Sequence, residues 1–170
     1  MIEVKIVGVR IELPTNQPLV LLREVAGERH IPIWIGAAEA TAIALSEQGV
    51  VPPRPLTHDL LCGVVKALGH AIVQVNLTKV EDAVFYAELV FDNGTSIGSR
   101  ASDAIAVAQR AQCPIWAAEE LVAEAGVVIS GQDEDGHEHA ESEVDDEAKE
   151  REVRQFREFL NDVEPEDFEK

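Results

Sequence analysis

Seven polar residues of this chain combine a reactive or ligating side chain with a placement that would present it: Glu39, Arg54, His58, Asp59, Arg100, Ser102 and Asp103. All fall where a loop or strand is expected to pass into a helix. In Arg54-Pro55-Leu56-Thr57-His58-Asp59-Leu60-Leu61, Pro55 fixes its own φ and pushes Arg54 toward an extended conformation, which leaves the arginine ahead of the helix. Thr57 is then the expected N-cap, His58 and Asp59 lie in the first turn, and Leu60 and Leu61 are expected to turn inward. Arg100-Ala101-Ser102-Asp103 repeats that grammar with an arginine, a hydroxyl cap and an acid in the first turn, where the helix dipole favours negative charge. Glu39 falls in the first turn of a helix opened by Gly36.

If these helix starts converge, their carboxylates and imidazole are suited to Mg²⁺ or Mn²⁺, which prefer oxygen ligands and tolerate some imidazole. A water on such an ion could attack a phosphate clamped by the arginines. His58, Asp59 and Asp103 are then the catalytic candidates, Arg54 and Arg100 the phosphate-binding ones, and Glu39, Asp59 and Asp103 the metal ligands. The same residues also suit plain architecture, with Thr57 and Ser102 as caps, Asp59 and Asp103 as first-turn acids and the arginines as their partners. Both readings stand on the residues alone. No nucleotide-binding glycine motif, nucleophile elbow, HExxH or zinc spacing occurs in the chain.

The elements that must position these residues follow from periodicity. Alternation over residues 2–13 begins with Ile2, Val4 and Ile6 and then shifts phase to Val7, Val9 and Ile11, so a β-bulge is expected beside Gly8. Residues 19–24 and 30–35 are further strands, and Pro32, which has no N–H for a ladder, marks the second of them as an edge or as leaving the sheet early. Residues 37–48 are an alanine-rich helix stopped by Gly49, built to pack closely on a sheet or on a partner. The Thr57 helix runs to about Leu68 and stops at Gly69. In the next strand Val73, Val75 and Leu77 are expected on one face, against Gln74, Asn76 and Thr78 on the other. Asp92-Asn93-Gly94-Thr95 is a hairpin signal between residues 83–91 and 95–99. A third helix from Ser102 to about Gln112, a short extended Pro114-Ile115-Trp116, a helix over residues 118–125 and a closing segment at residues 127–129 complete the body. The expected fold is α+β, a mixed and largely antiparallel sheet with three to four packed helices.

Charge divides the chain. The net charge is −18, yet residues 132–170 hold 17 acids and 5 bases against 15 and 9 in residues 1–131, so most of the acidity belongs to the tail. Residues 132–148 read as a disordered acidic linker, too poor in apolar side chains to order themselves. Within it, His137-Glu138-His139 reads as solvated chain. In residues 149–170, Val153, Phe156, Phe159, Leu160 and Val163 recur at helical spacing and give a C-terminal amphipathic helix with an acidic end. Nine scattered bases in the body exclude duplex binding by charge neutralisation alone, so nucleic acid is expected only with metal assistance. Cys62 and Cys113 stand far apart and outside any CxxC spacing, which suits reduced thiols. No apolar run approaches the roughly 20 residues that span a bilayer. The expectation is a cytoplasmic protein with no membrane contact.

The blocks Ile33-Trp34-Ile35-Gly36 with Glu39-Ala40, Arg54 to Leu61, Phe85-Tyr86-Ala87 and Arg100-Ala101-Ser102-Asp103-Ala104-Ile105-Ala106 occur in an order that resembles the bifunctional nuclease domain family. The resemblance covers residues 1–129, and the acidic tail resembles that of actinobacterial members. It implies an α+β fold assembled as a homo-oligomer and a nuclease acting on RNA and DNA. Where the family commonly reads Asp-Ala-Arg-Pro-Ser-Asp, this chain reads Gly98-Ser99-Arg100-Ala101-Ser102-Asp103, which removes one carboxylate from that place. Two functions follow as expectations: a metal-assisted nuclease using the residues above, or a non-enzymatic regulatory module that recruits a protein partner through the acidic tail and terminal helix.

Overall fold

The computed structural model of the protein describes residues 1–13 and 15–129. The expected acidic linker at 132–148 and helix at 149–170 lie outside the described residues. The element order is β1 (Ile2–Glu12), β2 (Gln17–Glu24), β3 (Arg29–Trp34), α1 (Ala37–Glu47), α2 (Thr57–Ala67), β4 (Ile72–Glu81), β5 (Val84–Phe91), β6 (Ser96–Arg100), α3 (Ala101–Ala111), β7 (Ile115–Ala117), α4 (Glu119–Ala125) and β8 (Val127–Val128). All eight strands form one sheet in the order β6-β5-β4-β7-β1-β2-β3-β8. The expected α+β architecture, largely antiparallel with four helices, is what the chain adopts.

The sheet is two antiparallel meanders, β1-β2-β3 and β4-β5-β6, stitched together by the three residues of β7. β7 runs antiparallel to β1, with Val4 opposite Ile115, and parallel to β4, with Val75 opposite the same Ile115. That is the one parallel pairing in the sheet, and it requires a crossover, which α3 supplies. The expected bulge is present, since the β1–β2 register shifts between Ile6 and Gly8. Gly8 sits there at φ 152°, in a region that side chains rarely adopt. The Asn93-Gly94 turn closes β5 on β6, with Gly94 at φ 80° and the Gly94 N–H donating to the Phe91 carbonyl at 3.0 Å. Beyond β3, β8 pairs only with Arg29 and His30, so Pro32 faces an unpaired edge, as its missing N–H demands.

One expectation about β4 is corrected. The β4–β5 register shifts between Ile72 and Gln74, which turns Ile72 into the core with Val75 and Leu77 and leaves Val73 45% exposed. The alternation through 73, 75 and 77 is therefore broken by a bulge, and a run of adjacent Ile and Val gives no phase signal to reveal it.

α3 is the axis of the core. Ala101, Ala104, Ile105, Ala106, Val107 and Ala108 are all buried, and alanine on most of that surface lets the helix lie close to the sheet and to α1. α1 buries Ala40, Ala42 and Ile43. α2 differs from both, for it contains no fully buried residue. Leu60 and Leu61 are 58% and 40% exposed, which overturns the expectation that they turn inward. The inward stripe is His58, Cys62 and Val65, at helical spacing, and polar ties at the start of α2 set that rotation. Among the described residues no helix is long and apolar enough to cross a membrane.

Leu77→Ala is expected to cost about 2–5 kcal/mol, because it empties a site with no solvent access. Val73→Ala, on the outer side of the bulge, should cost no more than about 0.5 kcal/mol. Urea denaturation of the two variants checks the contrast.

Candidate functional site

Both helix starts are capped differently from their sequence expectation. The N-cap of α2 is Leu56, and its backbone N–H donates to Asp59 Oδ2 at 2.8 Å, so the acid three residues on caps the helix and Thr57 does not. In α3 the N-cap position is Arg100, and Ser102 lies one turn position inside the helix, with no side-chain cap bond made there. The N-cap stands one residue before the expected hydroxyl in α2 and two before it in α3; in α2 the Asp59 carboxylate takes the N-cap N–H, and in α3 Asp103 is spent on the His58 and Arg100 side chains.

The structure brings four of the candidates into one network. His58 Nε2 lies 3.0 Å from Asp103 Oδ1, across 45 residues of sequence. Arg100 holds the same carboxylate from the other side, its Nε on Oδ2 at 2.7 Å and its Nη2 on Oδ1 at 3.0 Å. Arg100 Nη2 also reaches Glu39 Oε1 at 2.8 Å. The starts of α1, α2 and α3 are thus joined through Glu39, His58 and the Arg100–Asp103 pair. Burial pushes the Asp103 carboxyl up, but the hydrogen bonds and charges of Arg100 and His58 outweigh it and hold the group below its ordinary value. An ionised carboxylate only accepts, so His58 Nε2 carries the proton and donates, and the lone pair of the neutral ring sits on Nδ1. Nδ1 has no hydrogen-bond partner among the described residues. The His58 side chain keeps 12% of its surface exposed.

Asp59 belongs to a separate arrangement. Its Oδ1 accepts from Arg110 Nε at 2.5 Å while Oδ2 takes the Leu56 N–H. Burial again pushes the carboxyl up, and the Leu56 N–H, Arg110 and His58 together bring it below its ordinary value. Arg110 did not emerge from sequence reasoning. The available signal was a lone base on an alanine-rich helix, seven positions after Asp103 and so on the same face. Arg54 makes no hydrogen bond or ion pair with the described residues and is exposed in the loop before α2. Burial raises the Cys62 and Cys113 thiols above their ordinary value, which keeps both protonated and poor as nucleophiles.

The donor set can be tested against the expected Mg²⁺ or Mn²⁺. Glu39 and Asp103 face each other across the Arg100 guanidinium, which supplies the cation between them. Asp59 is turned to Arg110. Among the described residues no three of His, Cys, Asp and Glu come together as a group that could hold a metal ion. As arranged, these carboxylates fit an arginine and not a divalent ion.

Residues 20–130 match the family described as the bifunctional nuclease domain. The chain belongs to that family. It is also similar to an uncharacterized protein of Mycobacterium tuberculosis, present in two strains, at 45% identity over 166 residues that cover 98% of this chain and 97% of the relative. Family membership therefore rests on nearly two-thirds of the chain, including every residue of the network, and the relative extends the similarity through the acidic tail.

Both depressed carboxylates make stability depend on pH in a defined sense. Their stabilisation is complete above the unfolded value of about 3.9 and is lost as pH falls through the lower folded values. Asp103→Asn is expected to lower stability at neutral pH yet flatten its decline between about pH 5 and pH 2. Urea midpoints measured across that range test this, and curves that run parallel for wild type and variant would count against the ion pairs. Arg110→Met should cost about 3 kcal/mol at neutral pH by leaving Asp59 unpaired.

Proposed function

We propose that this protein hydrolyses phosphodiester bonds of RNA or DNA, with the His58–Asp103 pair as its acid–base group. The observation that carries the reading is the meeting of His58 and Asp103 at 3.0 Å beside Arg100, in a chain of the bifunctional nuclease domain family. Asp103 fixes the ring and its tautomer, and it stabilises the imidazolium that forms when Nδ1 takes a proton. The proton comes from the attacking oxygen, either a water or a ribose hydroxyl. The same imidazolium then returns it to the leaving oxygen.

Phosphate binding falls to the arginines. Arg100 spends Nε and Nη2 on Asp103 and Glu39, which leaves Nη1 for a phosphate oxygen. Arg54 has its whole fork free of the described residues in the approach to α2. Asp59 takes a positioning role, because its two contacts fix the first turn of α2 that carries His58. Glu39 holds Arg100 in place. Metal assistance in the sense first expected would require Arg100 to leave Glu39 and Asp103, so the reading assigns no step to a divalent ion.

The test is cleavage of labelled single-stranded RNA and DNA by the full chain, with EDTA in one arm and Mn²⁺ in another. His58→Ala is expected to lower the rate by roughly 10²-fold or more, with Asp103→Asn close behind. Activity in EDTA should match that without it. Cleavage that persists unchanged in His58→Ala, or that appears only with Mn²⁺, would reject this mechanism.

A further inference from the structure

A cavity of about 460 Å³ lies where the loop between α1 and α2 crosses the end of α3. Its volume falls within the roughly 300–1,000 Å³ of small-molecule sites. Val50, Pro52, Pro53 and Pro55 supply apolar walls, and Asp59 and Arg110 supply the charged groups of the lining. That pair is tightly engaged but not saturated. Each Asp59 oxygen accepts one hydrogen bond and keeps a second lone pair. Arg110 uses one N–H on Asp59, one on the Ala106 carbonyl and one on the Ala42 carbonyl, which leaves two of a guanidinium's five.

An acceptor-only carboxylate beside a donor-only guanidinium calls for a ligand edge with an N–H next to a ring nitrogen or carbonyl. The walls call for a flat, weakly polar body between them. A nucleobase has both properties, since its faces are apolar and its Watson–Crick edge alternates donors with acceptors. We infer that this cavity is a nucleobase subsite, filled by one unpaired base of the nucleic acid strand. Its identity as a base rests on the nuclease reading given above.

Three features place the subsite in register with the hydrolytic pair. Asp59 follows His58 directly in the first turn of α2. Asp103 and Arg110 lie seven residues apart on one face of α3, about 10 Å along its axis, a separation on the scale of one nucleotide. Arg54 stands in sequence between the lining prolines Pro53 and Pro55, and no described residue neutralises it, so the loop that walls the cavity carries an exposed cation available to a backbone phosphate. The polar end of the cavity reads a Watson–Crick edge, which is free only in an unpaired base, so the strand must be single or must extrude the base.

Isothermal titration of the full-length chain with AMP and with ribose 5-phosphate tests the subsite apart from catalysis. AMP should bind, and ribose 5-phosphate, which lacks the base, should bind at least roughly tenfold more weakly. Ser46→Phe, which fills the cavity from α1, should reduce AMP affinity by roughly tenfold or more. Val51→Glu is the second variant: Val51 is 89% exposed at the rim, so folding is preserved while a negative charge opposes the nucleotide. His58→Ala should lower cleavage by roughly 10²-fold or more and keep AMP binding. Equal binding of AMP and ribose 5-phosphate, or wild-type affinity in both Ser46→Phe and Val51→Glu, would overturn the subsite. AMP binding that those variants remove, in a chain that cleaves no nucleic acid, would uphold the subsite while refuting the hydrolytic reading.

Discussion

One guanidinium holds the three helices around the site in a common frame. Arg110 leaves α3 with its side chain only 10% exposed and donates to the Ala42 carbonyl of α1, to Asp59 of α2 and to Ala106 of its own helix. A cation that deep is tolerable only when its donors find partners, and a carboxylate with two carbonyls meets that requirement. The consequence reaches beyond stability. With Asp59 fixed from both sides, the first turn of α2 has one orientation, and His58 can meet Asp103 only in that orientation.

Several features of the fold could be read from residues in order along the chain. The phase slip at Gly8, the Asn93-Gly94 turn, the Gly49 and Gly69 helix stops and the edge character of Pro32 are local, and local chemistry encodes them. What could not be read depended on partners far away in sequence. Ile72 and Val73 are equally apolar, so nothing in the run says which of them the bulge will bury. Leu60 and Leu61 look like the inner face of α2, yet Asp103 and Arg110, 42 or more residues downstream, pull a different stripe inward. For the candidate site, residue type and helix position picked out Glu39, His58, Arg100 and Asp103, which do meet. The same reasoning grouped Asp59 with them and passed over Arg110, because spacing within a helix does not report which other helix lies across from it.

The balance of charge also takes on a local meaning. The body carries more acids than bases, but the structure spends those acids unevenly. Asp59, Asp103 and Glu39 are all turned onto arginines, so the surroundings of His58 are closer to neutral than the composition implies. Arg100 keeps an open, solvent-facing side there, and Arg54 is exposed in the loop before α2.

α2 is joined to the rest of the body in an unusual way. It buries no residue completely, and its leucines at 60, 61 and 68 face outward, so little of the hydrophobic effect holds it down. Its attachment is largely two polar ties at its first turn, the Asp59–Arg110 ion pair and the His58–Asp103 hydrogen bond. Helices fastened in this manner occupy the low end of the range of local opening free energies, well below the core strands. Amide hydrogens along α2 should therefore exchange with solvent earlier than those of α3, through an excursion that lifts the helix without unfolding the sheet. The helix that carries His58 would then be a hinged panel on a rigid frame, and its opening would expose the alanine face of α3 beneath it.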